Sequence, residues 1–176
     1  DHGEEFMDHG HLAHYPKLYD ELAHVPLIVD HPNGPSKTIP EPVSLDTVPP
    51  TLVEAAGLPE YDSFDGNSVL DLLLDDTDHS EALPNSEIPI TVAVRGESVT
   101  QQPIPKRLDE GDLLVSARSD RWTYIHNTGD DPHELYDRQA DPTELTDLWP
   151  EHRESPGVEE LRKAAIDHVE RLQSGA

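Results

Sequence analysis

The sequence contains no cysteine. A disulfide framework, a thiolate zinc site and a cysteine-derived nucleophile are therefore all excluded within this chain. Basic residues are also scarce, since 12 lysines and arginines stand against 37 acidic residues and give a formal net charge of -25. So acidic a chain repels phosphate backbones and anionic headgroups, and we expect neither nucleic acid nor an anionic membrane as a partner. An apolar stretch of about 18 residues is absent too, so we expect no membrane span.

The high charge and the 34% hydrophobic content are compatible with disorder or with a folded protein from concentrated salt. The acidic residues are spread between apolar runs, such as residues 25–29 and 112–115, and this pattern favours the folded alternative. At about 1 M salt the Debye length falls to roughly 3 Å, which screens repulsion between surface acids. We therefore expect a protein from the cytoplasm of a halophile, poorly stable in dilute buffer and more ordered in molar potassium or sodium chloride.

The first half of the chain carries one strand pattern and two helix patterns. Residues 24–30 form an apolar run without alternation, which predicts a buried strand that a Pro- and Gly-containing turn ends. Residues 50–57 predict a helix that starts near Pro49 and closes at Gly57. Residues 69–74 predict a short helical turn.

The second half is typical of a small antiparallel sheet followed by a helix. Strands are predicted at residues 90–95 and 134–137, with a hairpin formed by 113–118 and 122–126. A final helix is predicted with Ser155 as its N-cap and Pro156 at its first position. Its apolar face needs a partner, and the sheet is the simplest one; the face comprises Val158, Leu161, Ala165, Val169 and Leu172. The aromatic residues here are predicted to belong to the core or to a subdomain interface: Trp122, Tyr124, Tyr136 and Trp149. The arginines are predicted to be surface or sheet-edge charges: Arg118, Arg121 and Arg138.

The candidate chemistry lies in the first residues. Asp1 and His2 can supply one oxygen and one nitrogen ligand to a divalent cation, and Gly3 allows a tight exit from the pair. A carboxylate-rich shell favours calcium, magnesium or manganese over zinc. Two residues do not complete a site, and an isolated Asp-His-Gly more commonly lies in a loop that makes local hydrogen bonds.

The order of several short motifs is more specific than any one of them. The chain resembles the sulfatase family of the alkaline phosphatase superfamily, in a haloarchaeal, acidic form. The resemblance covers nearly the whole chain, in order, through Asp-His-Gly-Glu at 1–4, Asp-His-Gly at 8–10, Leu-Tyr-Asp-Glu at 18–21, Val-Pro-Leu-Ile-Val at 25–29, residues 44–59, residues 65–70, Arg-Trp-Thr-Tyr-Ile at 121–125, Glu-Leu-Tyr-Asp at 134–137 and Asp-Pro-Thr-Glu at 141–144.

The resemblance implies a fold and a domain division. The fold class is α/β: the C-terminal part of an alkaline-phosphatase-like α/β sandwich, followed by a small antiparallel sheet with a C-terminal helix. Residues 1–87 would belong to the catalytic α/β domain, and residues 88–176 would form the antiparallel-sheet subdomain. The first residue is Asp1 and not Met, which also suggests an incomplete chain.

The resemblance also implies roles for particular residues. Asp1 and His2 would be metal ligands, with calcium the first choice and magnesium or manganese the alternatives. A basic residue that contacts the sulfate or leaving-group oxygen would be His14 or Lys17, and the spacing favours His14. Glu4 would orient His2, while His9 and His11 would be outer hydrogen-bonding groups or surface residues.

Two parts that such an enzyme needs are not present in the sequence. A sulfatase uses a formylglycine nucleophile within a Cys/Ser-x-Pro-x-Arg motif, together with an early Asp-Asp metal pair, and neither motif is found here. We therefore expect the nucleophile outside this chain, in a missing N-terminal part of the same enzyme, and no turnover by the chain alone. The expected substrate is a small-molecule sulfate ester. Alternatives are a phosphodiesterase or phosphonate monoester hydrolase of the same superfamily, or a noncatalytic acidic pseudoenzyme module.

Overall fold

A computed structural model describes residues 2–39, 42–59, 61, 63–64, 66–75, 90–95 and 112–174. The chain divides into two compact units: unit 1 combines Asp1–Val25 with Ile88–Ala176, and unit 2 is Pro26–Glu87. The predicted boundary between residues 87 and 88 coincides with one unit boundary. Residues 1–25, however, are grouped with the later part of the chain. The division into a catalytic part and a subdomain remains a prediction.

Unit 1 is built on a four-stranded antiparallel sheet. Its strands are β3 (Ile90–Arg95), β4 (Asp112–Arg118), β5 (Trp122–Asn127) and β6 (Glu134–Asp137), and each pairs with the next in chain order. The turn between β4 and β5 closes with the amide of Ser119 donating to the carbonyl of Trp122 at 2.9 Å. The four strands and the hairpin that the sequence predicts for the second half of the chain are therefore confirmed.

A long C-terminal helix, α5 (Val158–Ser174), covers one face of this sheet. A short helix, α4 (Trp149–His152), precedes it. The predicted apolar face is confirmed, because its residues pack against alternate side chains of β4 and β5. The shared buried cluster contains Leu113, Val115, Ala117, Trp122, Tyr124, Leu135, Val158, Leu161, Ala165 and Val169, with Leu172 partly buried against it.

The predicted start of the last helix was wrong by two residues. The helix begins at Val158, so neither Ser155 nor Pro156 takes the position that the sequence suggested. Gly157 adopts a φ of +84°, a left-handed conformation that breaks the helical path. The amide of Val158 donates to the carbonyl of Ser155 at 3.1 Å, which makes Ser155 part of a preceding turn.

The N-terminal segment contributes to the other face of the sheet. It forms a hairpin of two short strands with two residues each, β1 (Glu5–Phe6) and β2 (Leu12–Ala13). A one-turn helix, α1 (Asp20–Ala23), follows. Leu18 then packs in a second small core with Leu114, Ile125 and Tyr136. Because side chains alternate along a strand, β4 supplies Leu113 and Val115 to one core and Leu114 to the other.

Unit 2 contains a 3₁₀ turn (Leu45–Thr47), α2 (Val48–Ala55) and α3 (Leu70–Leu74), as the sequence predicted for both helices. The C-terminus of α2 is a Schellman motif: the amide of Gly57 donates to the carbonyl of Glu54 at 2.8 Å, and the amide of Leu58 to that of Val53 at 3.1 Å. Gly57 has a φ of +67°, as the predicted C-cap requires.

The strand predicted at residues 24–30 is wrong for the described chain. The run has neither helix nor strand structure and pairs with no described strand, and Ile28 is 90% exposed. An apolar run of this kind forms a strand only where both of its faces are covered. Here every residue of the run except the partly buried Val25 is exposed.

The observed architecture confirms the predicted fold class, a mixed α/β chain with a small antiparallel sheet and a C-terminal helix. Within the described ranges, no helix combines the length and the apolar character that crossing a bilayer requires.

Candidate functional site

An exposed cluster on the N-terminal segment contains two of the predicted site residues. His2 and His14 have ring centroids 4.6 Å apart, and the Nδ1 of His14 lies 2.6 Å from a carboxylate oxygen of Glu4. One nitrogen or oxygen ligand atom from each of these three residues lies within 4.8 Å of the others. The predicted ligand Asp1 lies outside the described residues. Glu4, which we expected to orient His2, is hydrogen-bonded to His14 instead.

The β1–β2 hairpin explains how residues so distant in sequence meet. Glu5 is paired with Ala13, so the next positions outward, Glu4 and His14, are neighbours at the open end. The turn needs left-handed backbone at Met7 (φ 80°) and Gly10 (φ 82°). Its hydrogen bonds run from the amide of Met7 to the carbonyl of His11 at 2.8 Å, and from that of Gly10 to the carbonyl of Met7 at 3.1 Å.

Gly3 fixes the segment that carries His2. Its amide donates to the carbonyl of Leu22 at 2.9 Å, and a Cβ at this position would lie 1.9 Å from the carbonyl oxygen of Glu21. Only glycine permits so close an approach of two backbones. The glycine predicted to allow a tight exit from the Asp-His pair thus has a concrete steric role against α1.

Lys17, the second candidate for the basic residue, lies beside a buried carboxylate. Its Nζ is 3.5 Å from Glu5 and 5.3 Å from the ring centroid of Tyr19. The Glu5 side chain is completely buried, and neither of its oxygens accepts a hydrogen bond. Lys17 is therefore the cation that faces Glu5, while His14 is the basic residue that lies beside His2.

His9 is partly buried and belongs to a second cluster, with Glu5 and Glu21. Its Nε2 lies 2.9 Å from the carbonyl oxygen of Glu144, and its Nδ1 lies 2.6 Å from a carboxylate oxygen of Glu21. The ring stacks on Tyr19 with a centroid distance of 3.8 Å. His9 was predicted to be either an outer hydrogen-bonding group or a surface residue, and a metal ligand in neither case. Its two hydrogen bonds fit the first alternative. His11 is exposed, with its ring 5.5 Å from that of Tyr15.

Arg118 was predicted to be a surface or sheet-edge charge, and this prediction was wrong, because the residue is buried at the end of an interior strand. The guanidinium is buried, donating to a carboxylate oxygen of Asp20 at 2.9 Å and to the carbonyl of Leu18 at 2.7 Å. Arg138 reaches the same oxygen of Asp20 at 3.3 Å. No local sequence pattern signals this burial, because the partners of Arg118 lie about a hundred positions away.

Glu144 completes the same buried network. Its side chain is 1% exposed, and one of its oxygens accepts the backbone amide of Asp20 at 2.8 Å. Burial raises the pKa of Glu144, and Arg118 opposes that shift; burial also lowers the pKa of Arg118. The backbone of Glu144 has a φ of 53°, rare for a residue with a side chain, and its carbonyl accepts from His9. Glu144 thus fixes two points of the N-terminal segment.

A third group of polar residues lies at the sheet, away from the candidate ligands. The rings of His126 and His133 stack with centroids 4.5 Å apart, and the Nδ1 of His126 lies 3.1 Å from the hydroxyl of Tyr124. Burial, His133 and Arg162 together lower the pKa of His126 to about 4. The ring is therefore neutral at pH 7. No role was predicted for either histidine.

The chain is similar in sequence to proteins named as sulfatases. The chain is 30% identical to arylsulfatase K from Gallus gallus over 151 residues, which are 84% of this chain and 26% of the relative. It is 25% identical to the uncharacterized sulfatase YidJ from Escherichia coli K12 over 178 residues, which are 98% of this chain and 31% of the relative. The chain thus spans about a quarter to a third of the length of these relatives. No family model matches it.

Comparison with solved structures supports the fold. A protein from Bacteroides thetaiotaomicron assigned as a sulfatase superposes on 98% of this chain and 35% of its own, with a TM-score of 0.69 and 24% identity. The phosphonate monoester hydrolase from Silicibacter pomeroyi superposes on 97% of this chain and 33% of its own, with a TM-score of 0.73 and 20% identity. At these identities, the likeness concerns the fold.

Proposed function

We propose that this chain is part of a metal-dependent sulfatase, a hydrolase of sulfuric esters, and that it carries half of the metal and sulfate site. The observation that carries the proposal is the meeting of His2, Glu4 and His14 within 4.8 Å, since His2 and His14 are the residues that the sulfatase resemblance marks. The similarity to arylsulfatase K and YidJ supports the same conclusion.

The metal site proposed here consists of Asp1 and His2, with further ligands from outside this chain. Sulfatases generally use a divalent metal ion. The exposed cluster offers imidazole and carboxylate donors at short mutual distance, which suits such an ion. Calcium is our first choice, with magnesium or manganese as alternatives, because a second pair of carboxylates would make the complete shell rich in oxygen. When bound, the ion would neutralise charge on the sulfate oxygens.

His14 is proposed as the basic residue that contacts the sulfate or the leaving-group oxygen. Cleaving a sulfate ester expels an alkoxide, which needs a proton donor or a cation beside it. The hydrogen bond from Nδ1 of His14 to Glu4 leaves Nε2 as the nitrogen that can contact substrate. Lys17 remains the alternative; its ammonium is held 3.5 Å from the buried Glu5, which makes it the less available of the two.

We further propose that the chain alone does not turn over substrate, because the formylglycine nucleophile and the early Asp-Asp pair would be supplied by another part of the same enzyme. The exposed apolar run at residues 27–29 supports this. Large contiguous apolar surface in a soluble protein commonly marks a covered interface. In the complete enzyme, we expect this run to become the buried strand that its sequence predicts.

The experiment is to express the complete reading frame that contains this chain and to assay it with 4-nitrophenyl sulfate and calcium. In that enzyme, His14→Ala should lower kcat/KM by about 100-fold or more, as loss of a positioned proton donor commonly does. The matched control is His11→Ala, an exposed histidine of the same hairpin, which should retain activity. Equal activity of the two variants would contradict the role of His14.

The same assay separates the alternatives. A higher kcat/KM for an aryl phosphonate monoester than for the aryl sulfate would favour a phosphonate monoester hydrolase, the class of one structural neighbour. Turnover of phosphodiesters would favour a phosphodiesterase. No turnover of any of these esters by the complete, metal-loaded protein would favour a noncatalytic acidic module.

The strong negative charge supports a further proposal on habitat, namely the cytoplasm of a halophile. We expect the far-ultraviolet circular dichroism of the chain to gain ordered signal between dilute buffer and about 2 M potassium chloride, since salt at this concentration screens charges beyond roughly 3 Å. Equal spectra at low and high salt would contradict the proposal.

A further inference from the structure

The cluster of the buried Glu5 with the partly buried His9 and Glu21 is separate from the residues proposed above for sulfate chemistry. One ligand atom from each lies within 4.8 Å of the others. Glu5 extends from β1, His9 from the hairpin turn and Glu21 from α1, so three different elements direct donors to one point. The cluster is less exposed than the His2 cluster: Glu5 has no exposed surface, and His9 and Glu21 are partly buried.

The state of His9 poses a question of proton balance. A backbone carbonyl only accepts, so the 2.9 Å contact with Glu144 requires that Nε2 carries a hydrogen. The other nitrogen, Nδ1, then faces a carboxylate oxygen of Glu21 at 2.6 Å. In the neutral ring Nδ1 is an acceptor, and two acceptors this close need a positive charge between them. Either a proton or a metal ion can supply that charge.

Three features favour the metal ion. Histidines that bind metal commonly donate their other ring N–H to a carbonyl or carboxylate, which is the arrangement of His9 and Glu144. Glu5 is fully buried with two oxygens that accept no hydrogen bond, and a buried carboxylate costs several kcal/mol unless it is compensated. Its nearest cation, the ammonium of Lys17, is 3.5 Å from one oxygen only.

We propose that Glu5, His9 and Glu21 form a divalent metal site distinct from the proposed sulfate site, and that it takes an ion of the zinc or manganese class. One imidazole nitrogen with two carboxylates suits these ions, whereas calcium prefers shells made of oxygen alone. Ligand atoms around a tetrahedral zinc ion lie about 3.4 Å apart. To reach this distance, the 2.6 Å contact between His9 and Glu21 would lengthen. The longer distances between ligand atoms, which extend up to 4.8 Å, would shorten.

The position of the site indicates what the ion would do. His9 is hydrogen-bonded to the backbone carbonyl of Glu144. Glu21 belongs to α1, and its own backbone carbonyl lies against Gly3. A bound ion would therefore join the hairpin turn, α1 and the buried network around Glu144 at one point. Because His2 lies just before the hairpin in sequence, the ion would hold the segment that carries the proposed sulfate site.

The test is manganese binding by the chain, measured by electron paramagnetic resonance and repeated with zinc by calorimetry. Glu21→Gln keeps the shape of the side chain and should lower the affinity of the tightest site by at least about tenfold, the minimum that removal of even an outer partner of a metal ligand causes. The matched control is Glu4→Gln in the exposed cluster, which should leave that affinity unchanged. Circular dichroism checks that both variants fold.

Two further measurements sharpen the test. Lys17→Met should raise the affinity by about tenfold or more, because it removes a like charge beside Glu5. In ¹⁵N spectra of the metal-saturated chain, Nδ1 of His9 should carry no proton. A tightest site that Glu4→Gln abolishes and Glu21→Gln leaves intact would overturn the proposal, as would an Nδ1 that stays protonated at saturation. If Glu4→Gln abolished the tightest metal site, the proposed sulfatase function would still stand. Failure of the metal-site proposal can therefore be distinguished from failure of the proposed function.

Discussion

The two units of the chain bury their apolar side chains to very different extents. Unit 1 has a sheet with a core on each face, closed by α5 on one side and by the N-terminal segment on the other. In the described part of unit 2, the buried side chains are Pro50, Thr51 and Leu72. Several large apolar residues there are exposed instead, among them Leu27, Ile28, Val29, Leu45, Leu52 and Leu58. Similar apolar patterns in sequence are thus buried in one unit and exposed in the other. The difference depends on whether other residues of this chain pack against them.

The largest difference should come from the buried charges of unit 1. We expect Arg118→Ala to lower the free energy of unfolding by about 3–5 kcal/mol, because it removes the cation that offsets the buried Glu144 and the closer of the two arginines at Asp20. Urea denaturation followed by tryptophan fluorescence measures this, since both tryptophans lie in unit 1. The control is Arg162→Ala, whose exposed partner is Glu159 at 3.4 Å, with at most about 1 kcal/mol lost. Equal losses would contradict the buried network.

The same substitution in the two units tests the comparison directly. Leu161 on α5 is 2% exposed and Leu52 on α2 is 64% exposed. We expect Leu161→Ala to cost about 2–5 kcal/mol through a cavity, and Leu52→Ala to change stability by less than about 0.5 kcal/mol. Urea titrations followed by far-ultraviolet circular dichroism give both values. A large loss for Leu52→Ala would mean that unit 2 has a core that we have not recognised.

The histidines of unit 1 should make its stability depend on pH. The pKa of His126 is about 4 in the folded chain and about 6.5 when unfolded. Above pH 6.5 the ring is neutral in both states; as the pH falls towards 4, the unfolded state takes up the proton and the folded state does not. We therefore expect a loss of about 2–3 kcal/mol across this window.

His126→Gln is the variant that checks the origin of this loss. Denaturation midpoints between pH 4 and 7 should be flatter in the variant than in the parent chain. Its matched control is His11→Gln in the exposed turn of the hairpin, which should keep the parent slope. An unchanged slope in His126→Gln would assign the acid sensitivity to other groups.

The smallest expected effect comes from one backbone position in each unit. Gly57 and Gly10 both have positive φ, and a Cβ at either would meet open space. Gly→Ala should therefore cost about 1–2 kcal/mol at each position, from backbone strain alone. Amide hydrogen exchange in α2 should report Gly57→Ala, and tryptophan fluorescence should report Gly10→Ala. A change of the fluorescence midpoint by Gly57→Ala would show that the two units unfold together.

Local patterns in the sequence predicted most of the fold. Alternation located the strand at 90–95, and the turn residues between two runs located the hairpin at 113–118 and 122–126. A glycine at the end of an apolar helix located the C-terminus of α2. These features depend on neighbours in the chain. The strand predicted at 24–30 failed because a buried strand depends on what lies on both of its faces, and sequence periodicity does not reveal that.

The candidate site was predictable in part. The resemblance marked His2 and His14, and the structure brings them together through the pairing of Glu5 with Ala13. Burial of Glu5 could not be foreseen, because strands of two residues carry no measurable alternation. The roles of Arg118 and Glu144 depend on contacts with the segment near Asp20, and no local pattern signals such distant partners.

Glu144 also affects the order in which the chain can assemble. Its contacts with His9 and with the amide of Asp20 span 135 and 124 positions, and the whole of unit 2 lies between them in sequence. At roughly 5–20 residues per second, a ribosome needs about 6–25 s to synthesise the intervening 124 residues. During that time the hairpin has left the ribosome without its partners. The hairpin is thus synthesised well before its partners and is fixed only after they emerge, and a chaperone that shields it would have several seconds in which to act.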